Sequence, residues 1–321
     1  MKLLEVKHLK ISFETHQGTL HAVRDFSFDL YEGECLGLVG ESGCGKSVTA
    51  LSLLGLLPNT ARVEGQILWR GQGVLSWNQV QWQSFRGSDA AMIFQEPGRS
   101  FDPLTTVESN FRETILAHHP KESKEEIRRR TLEMLQQVRI EQPEKRLKNF
   151  PHQFSGGMLQ RLMIALALVN RPRLLIADEP TTALDVTIQA QIIQLLNNLK
   201  NELKLSIIFI THNLALLKGF AQRIIVLYNG LVMEEGDTEQ ILKSPRHPYT
   251  QLLIQSLIRR QDRHEFKTFP EIQGQPPDPL RLLPGCPFST RCSLKQPGCE
   301  QHLPELKNNL RCSVINGKDH A

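Results

Sequence analysis

The clearest chemistry in the chain lies in eight consecutive residues, Gly40-Glu41-Ser42-Gly43-Cys44-Gly45-Lys46-Ser47. Glycines at these places let backbone amides close around an anion, where a Cβ would block the turn and the close approach. The Lys46 ammonium supplies a point charge for terminal phosphate oxygens, and the Ser47 hydroxyl suits a hard divalent cation such as Mg²⁺. An apolar run at 36–39 precedes the loop, and a Leu- and Ala-rich stretch opening at Val48 follows it. Strand, glycine loop and helix in that order aim a helix N-terminus at the bound anion. Such a cradle takes the β- and γ-phosphates of a nucleotide, without saying what the nucleotide is for.

Other polar residues stand where apolar runs end. Leu174-Leu175-Ile176-Ala177 has the composition of a buried parallel strand, and Asp178 and Glu179 follow it. Open α/β sheets bind ligands at that end of their strands. Asp178 is suited to hold Mg²⁺ through water, and Glu179 to orient or deprotonate an attacking water. The run 91–94 leads into Gln95, and 206–210 leads through Thr211 to His212. Each of these is an ordinary loop residue on its own, but in register with the carboxylates each can reach a central ligand. Ser155-Gly156-Gly157 precedes the apolar stretch 162–169. Ser155 can cap that helix while the glycines leave its first amides bare, which reads as a plain N-cap or as a second anion site. Phe13 closes the first strand, either to stack on adenine or to pack in the core.

The elements that must position these groups follow from pattern. Residues 3–13 and 19–30 alternate as strands around a turn at Gln17-Gly18. Trp69, Trp77 and Trp82 suggest an aromatic packing cluster within 59–90. Residues 123–138 form an amphipathic helix with Ile127, Met134, Leu135 and Val138 on one face, and the charges of 124–130 form its solvated side. Asp185 leads into a helix carrying Ile188, Ile192, Leu195, Leu196 and Leu199. Residues 223–235 read as a hairpin with a type I′ turn at Asn229-Gly230. Residues 238–260 are helical by pattern. Prolines then recur between Phe266 and Pro287, as in a linker to a small module holding Cys286, Cys292, Cys299 and Cys312.

Composition narrows the classes. The chain has 321 residues, 40% hydrophobic content and a net charge of +4, which gives no charge-based case for nucleic acid. No apolar run approaches the roughly 18 residues that cross a bilayer. Met1-Lys2-Leu3-Leu4-Glu5 lacks the apolar core of a signal peptide, so a cytoplasmic protein is expected, with any membrane role supplied by a partner chain. In that compartment six cysteines suggest thiols or metal ligands before disulfides. The four in the tail are spaced C-x5-C-x6-C-x12-C. Zinc, an iron–sulfur cluster and free thiols all stay open on that spacing, and so small a module needs some staple.

Taken as an ordered series, 40–47, Gln95, Ser155-Gly156-Gly157, Asp178-Glu179, Leu184-Asp185 and His212 resemble the ATP-binding subunits of ABC transporters over residues 3–260. The resemblance implies an α/β P-loop NTPase core with an N-terminal antiparallel β subdomain, a helical signature subdomain and a small Cys-containing C-terminal module. Residues 1–260 would be the nucleotide-binding domain, and 261–321 the linker and module. It implies that Phe13, residues 40–47 and Val48 contact ATP, that Ser47, Gln95 and Asp178 hold Mg²⁺, and that Glu179, His212 and Gln95 serve hydrolysis. Ser155, Gly156, Gly157 and Asp185 would face the ATP of an opposite subunit in a head-to-tail pair. Met158 and Phe13 stand where Gln and Tyr are usual in the family.

Phe94-Gln95-Glu96-Pro97, Asp102-Pro103, residues 154–158, Pro245-Arg246-His247-Pro248-Tyr249-Thr250 and the cysteine tail are similar to the dipeptide/oligopeptide importer branch, which includes nickel and antimicrobial-peptide importers. That implies an ATP hydrolase coupled to transport at the cytoplasmic face of the inner membrane. Its partners would be two permease subunits, a second and unlike ATPase subunit, and an extracytoplasmic solute-binding protein. A [4Fe–4S] cluster on the four tail cysteines is implied as well. The competing classes are a soluble ABC ATPase not coupled to transport and a P-loop kinase, which would have no use for Ser155-Gly156-Gly157. The solute itself is not legible, because ATPase subunits do not line the translocation path.

Overall fold

A computed structural model describes residues 1–182, 184–256 and 272–316. In chain order the elements are β1 (Lys2–Thr15), β2 (Gly18–Tyr31), β3 (Cys35–Val39), α1 (Lys46–Leu53), β4 (Ala61–Trp69), β5 (Gln72–Gly73), α2 (Gln79–Phe85) and β6 (Ala90–Ile93). There follow α3 (Val107–Leu116), α4 (Lys124–Gln137), α5 (Pro143–Arg146), α6 (Gly156–Leu168), β7 (Leu174–Asp178), α7 (Val186–Leu203) and β8 (Ser206–Thr211). The chain ends with β9 (Arg223–Tyr228), β10 (Leu231–Asp237), α8 (Thr238–Lys243), α9 (Pro248–Gln255) and α10 (Ser313–Asn316). No helix among the described residues is long and apolar enough to cross a membrane.

The chain divides into two compact units. The first comprises Lys2–Leu30, Cys35–Leu75 and the described part of Thr211–Ala321. Its strands run in the order β5-β4-β1-β2-β10-β9-β3. β1 pairs antiparallel with β4 from Leu4↔Trp69 to Phe13↔Ala61, which gives the expected antiparallel β region. β3 runs parallel to β9, with Leu36 opposite Arg223. β9 and β10 form the expected hairpin, with Leu231 opposite Tyr228. Asn229 (φ 47°) and Gly230 (φ 73°) are both left-handed, as a type I′ turn requires.

The continuous helix expected over 238–260 is broken instead into α8 and α9. Pro245 and Pro248 cannot donate backbone bonds and cannot sit inside one helix. Pro248 occupies the first helical position of α9, and His247 caps it, with Nδ1 accepting from the Tyr249 amide at 3.0 Å. Residues 257–260 of that expected helix, and 261–271 of the linker, lie outside the described residues.

The second unit comprises Met1, Tyr31–Glu34 and the described part of Ser76–Ile210. Its strands β8-β7-β6 are parallel, with Ala90 opposite Leu174 and Leu174 opposite Ser206. Every residue of β7 and β8 is buried, which explains why they read as unbroken apolar runs. Helix α4 buries Ile127, Thr131, Met134 and Leu135 and is capped by the Ser123 hydroxyl. Trp77, Trp82 and Phe85 pack edge to face, with Trp77 5.2 Å from each of the other two rings. Trp69 is buried in β4.

One charge in 124–130 departs from the expected solvated face. The Arg130 side chain is only 18% exposed and pairs with Glu122 at 2.8 Å. It also donates to the Val169 carbonyl at 3.0 Å and to Asn170 Oδ1 at 3.2 Å. A guanidinium therefore satisfies the C-terminal end of α6, the helix that Ser155 begins.

Candidate functional site: the phosphate loop and the strand-end carboxylates

In the first unit, β3 is buried along its whole length and delivers the chain to Gly40. A Cβ on Gly40 would collide with the Leu227 carbonyl and with the Cys44 sulfur, so only glycine lets the loop fold back on β9. Gly45 is left-handed (φ 102°), and a Cβ there would stand 2.5 Å from the Ala22 carbonyl. Helix α1 starts at Lys46, two residues before the apolar stretch used to expect it, and places Ser47 in its first turn. Lys46 is 5% exposed, and its Nζ donates to the carbonyls of Gly40 (2.7 Å) and Glu41 (3.0 Å). A buried ammonium needs such acceptors. The same Nζ lies 3.6 Å from Cys44 Sγ. The Cys44 thiol is buried, and that burial pushes its pKa up, so it stays neutral.

Glu41 is tied at each of its polar parts. Its amide donates to Tyr249 Oη at 2.9 Å, its carbonyl accepts from Lys46, and its carboxylate pairs with Arg291 at 2.6 Å. Tyr249 is carried by α9, the helix of the Pro245-to-Thr250 motif. That motif is itself docked on buried Glu234, which accepts from the amides of Arg246 (2.8 Å) and His247 (3.0 Å). Burial pushes the His247 imidazole down to about 4, so near neutral pH it is uncharged and its Nδ1 is free to accept. Neither the Tyr249 nor the Arg291 contact was legible in the sequence. The motif marks Tyr249 only as a family feature, and nothing in the spacing of Arg291 points 250 residues back to a glycine loop.

Cys286, Cys292, Cys299 and Cys312 line one cavity of about 20 Å³ together with Phe288, Leu294, Pro304 and Val314. All four are free thiols. Burial pushes Cys286 up to about 11 and raises Cys292 as well. Among the described residues no three His, Cys, Asp or Glu side chains close to the spacing of a single-ion ligand set. The cavity is held against β10 by Arg311, whose Nε donates to the Val232 carbonyl at 2.8 Å and whose Nη1 donates to the Pro304 carbonyl at 2.9 Å.

In the second unit the parallel register sets the strand-end residues level. Ile93 pairs with Ala177, so Gln95, two residues on, leaves β6 at the end where Asp178 closes β7. Asp178 is opposite Ile210, and the chain continues from there into Thr211 and exposed His212. Glu179 is a non-glycine residue in left-handed backbone (φ 47°), pinned by its amide donating to the Ile210 carbonyl at 3.0 Å. Such strain persists where surrounding structure enforces it, and it clusters at functional positions. The Thr182 hydroxyl donates to the Glu179 carboxylate at 2.8 Å.

Ser155 caps α6 by accepting from the Met158 amide at 3.4 Å. The two glycines differ. Space around Gly156 is open, whereas a Cβ on Gly157 would stand 3.2 Å from Ile188 Cγ2 of α7. Gly157 therefore sits close against α7, where a side chain would make Ile188 give by a few tenths of an ångström. Asp185 Oδ1 accepts from the amides of Thr187 and Ile188, both at 3.0 Å, and so caps α7. Phe13 lies half-buried on β1.

Comparison with known proteins places this arrangement. Residues 23–182 match the ABC transporter family, and residues 233–299 match the oligopeptide/dipeptide transporter C-terminal region. The dipeptide transport ATP-binding protein DppD of Bacillus subtilis (strain 168) is 46% identical over 305 residues, covering 94% of this chain and 90% of the relative. The oligopeptide transport ATP-binding protein OppD of Escherichia coli (strain K12) is 43% identical over 302 residues, covering 94% and 89%. Among solved structures, the dimeric bacterial ABC transporter cassette MJ0796 superposes with a TM-score of 0.65 at 28% identity, over 73% of this chain and 98% of that one. CbiO1 of Clostridium perfringens, part of the ABC transporter complex cbiONQ, gives 0.65 at 26% identity, over 76% and 91%. The glycine loop, the carboxylates at the strand ends and these matches agree that the chain belongs to the ATP-hydrolysing subunits of ABC transporters, in the branch that carries the oligopeptide/dipeptide transporter C-terminal region.

Proposed function

We propose that the chain powers uptake of dipeptides or oligopeptides across the cytoplasmic membrane, working from its cytoplasmic face against two permease subunits. A second, unlike ATPase subunit and an extracytoplasmic solute-binding protein complete the assembly. The observation that carries the reading is the match of residues 233–299 to the oligopeptide/dipeptide region, joined to relatives that are named for peptide transport. Residues 1–260 act as the nucleotide-binding domain and 261–321 as linker and module.

Each residue has a part in hydrolysis. Residues 40–47 and Val48 enclose the phosphates, Lys46 neutralises them, and Phe13 stacks on adenine. Glu179 orients and deprotonates the attacking water, and its left-handed backbone and Thr182 contact support a fixed aim. His212 meets the γ-phosphate, and Gln95 relays its presence toward the permease. The Ser47 hydroxyl, the Asp178 carboxylate and the Gln95 amide are oxygen donors of the kind a Mg²⁺ ion takes, and that ion would offset charge on the phosphates. Ser155, Gly156 and Gly157 offer the open N-terminus of α6 to ATP on the partner subunit, beside Asp185. The dimeric form of MJ0796, seen also in a post-hydrolysis state with ADP and phosphate, supports such a pair.

A [4Fe–4S] cluster on Cys286, Cys292, Cys299 and Cys312 belongs to the same proposal, since the four line one cavity and are thiols, the donor type such a cluster takes. Bound there, the cluster would staple a module with little apolar core, and ligation would ionise Cys286 and Cys292, whose thiols burial otherwise favours in the protonated form. Anaerobic purification should yield iron, sulfide and a visible thiolate-to-iron band. Protein devoid of all three would exclude the cluster.

The transport reading is tested by deleting the gene and measuring uptake of labelled dipeptides, longer peptides and Ni²⁺. Loss of peptide uptake with Ni²⁺ entry intact is expected. Loss of Ni²⁺ entry alone would move the chain to the nickel importers, and no change in either would leave it an ATPase without this transport role.

A further inference from the structure

The cysteine module and the phosphate loop are joined through one buried side chain. The Arg291 side chain is 4% exposed and immediately precedes Cys292. Its guanidinium has five N–H groups, and all five are used. Nη1 and Nη2 grip the Glu41 carboxylate at 2.6 and 3.0 Å, Nη1 also donates to Tyr228 Oη at 3.1 Å, and Nη2 and Nε donate to the carbonyls of Ile272 and Gln273, both at 3.0 Å. The side chain is thus a fork-to-fork bridge from the module to the second residue of the glycine loop. The guanidinium lies over the Tyr228 ring at 5.8 Å, and Tyr228, Tyr249 and Phe288 pack on one another with ring centroids 4.7 to 5.3 Å apart.

We propose that Arg291 is a positioning residue of the nucleotide site, through which the cysteine module sets the phosphate loop and thereby the affinity for ATP. The route is short. Glu41 presents its carbonyl to the Lys46 ammonium at 3.0 Å and its amide to Tyr249 at 2.9 Å, while Arg291 holds its carboxylate. A shift of Arg291 therefore moves an acceptor of the lysine that meets phosphate. Arg291 ends the short turn Ser289–Arg291, whose Ser289 amide donates to the Cys286 carbonyl at 3.0 Å. Whatever occupies or reorganises the cysteine cavity acts on the same turn. Coupling of this kind is reciprocal, so ATP must tighten the module as much as the module tightens ATP binding.

The proposal rests on the loop being the ATP site, and the test separates the two. Binding of a fluorescent ATP analogue is measured for the full chain and for Arg291→Gln, Arg291→Lys, Glu41→Gln and the Arg291→Gln/Glu41→Gln double variant. Each Gln variant should bind about tenfold more weakly, and the double variant no more weakly than either alone, because all three break one bridge. Arg291→Lys, which keeps the charge but loses the fork, should fall between. Wild-type affinity in the single variants, or losses that multiply to about a hundredfold in the double, would overturn the coupling while leaving the loop as the ATP site. No binding by the wild-type chain would overturn the reading of the loop, and the coupling with it. Glu41→Gln lies outside the module and so guards against a misfolded Arg291 variant. Hydrogen exchange supplies the reciprocal readout. Added ATP should slow exchange at the Ser289 and Arg291 amides in the wild type and not in Glu41→Gln, and equal slowing in both would show that the bridge is only a structural staple.

Discussion

Glu179→Gln is expected to lower ATP turnover about a thousandfold while leaving ATP binding intact, since a positioned general base contributes on the order of 10²–10⁴. The substitution is nearly isosteric. The bond from the Glu179 amide to the Ile210 carbonyl persists, and the Thr182 hydroxyl can still meet the side-chain oxygen. What is lost is the basicity needed to take a proton from water. Because nucleotide would be held between two subunits, a hydrolysis-dead variant should accumulate the ATP-bound pair with its ATPase partner present, seen as a slower-sedimenting monomer fraction giving way to dimer on adding ATP. Turnover within a few-fold of wild type would remove Glu179 from the water-positioning role.

Lys46→Ala should fail at the earlier step. It removes the charge at the phosphates and leaves the Gly40 and Glu41 carbonyls without their shared donor. Loss of a charge-assisted contact of this kind is expected to weaken ATP binding about a hundredfold, or about 3 kcal/mol. Stability of the free protein should change little, because the loop reaches solvent at Ser42 and Gly43 and water can take the ammonium's place at the two carbonyls. A matched thermal unfolding curve with lost nucleotide binding distinguishes a binding role from a folding one. Retained binding at wild-type affinity would mean that the Lys46 contacts serve the loop alone.

The two variants divide the site along lines that the sequence already suggests. Strands β3, β7 and β8 are readable because total burial leaves no polar face, so each is an apolar run ending where a polar residue begins. The glycine loop is readable because clashes with Leu227 and Ala22 exclude any side chain, which leaves glycine as a visible trace. The Asn229-Gly230 turn is readable for the same kind of reason, since both residues are left-handed. Where pattern fails, the cause is long-range packing. Arg130 looks like one more surface charge in 124–130 until α6 presents its C-terminal carbonyls to it. Gly157 reads as a bare amide until Ile188 of α7 is seen against it. Periodicity carries a helix through 238–260 because Pro245 and Pro248 punctuate an otherwise regular pattern, and the chain breaks there. The brace of Tyr249 and Arg291 on Glu41 lies furthest from local signal, because neither partner is near the loop in sequence.

The central claim is that nucleotide held by residues 40–47 and hydrolysed with Glu179 drives peptide entry. It is tested most directly by measuring labelled-peptide uptake in deletion cells supplied with the wild-type gene or with the Glu179→Gln gene, at matched levels of assembled complex. The wild-type gene should restore accumulation, and the variant should assemble, bind ATP and restore none. Accumulation at the wild-type rate with the variant would contradict the claim.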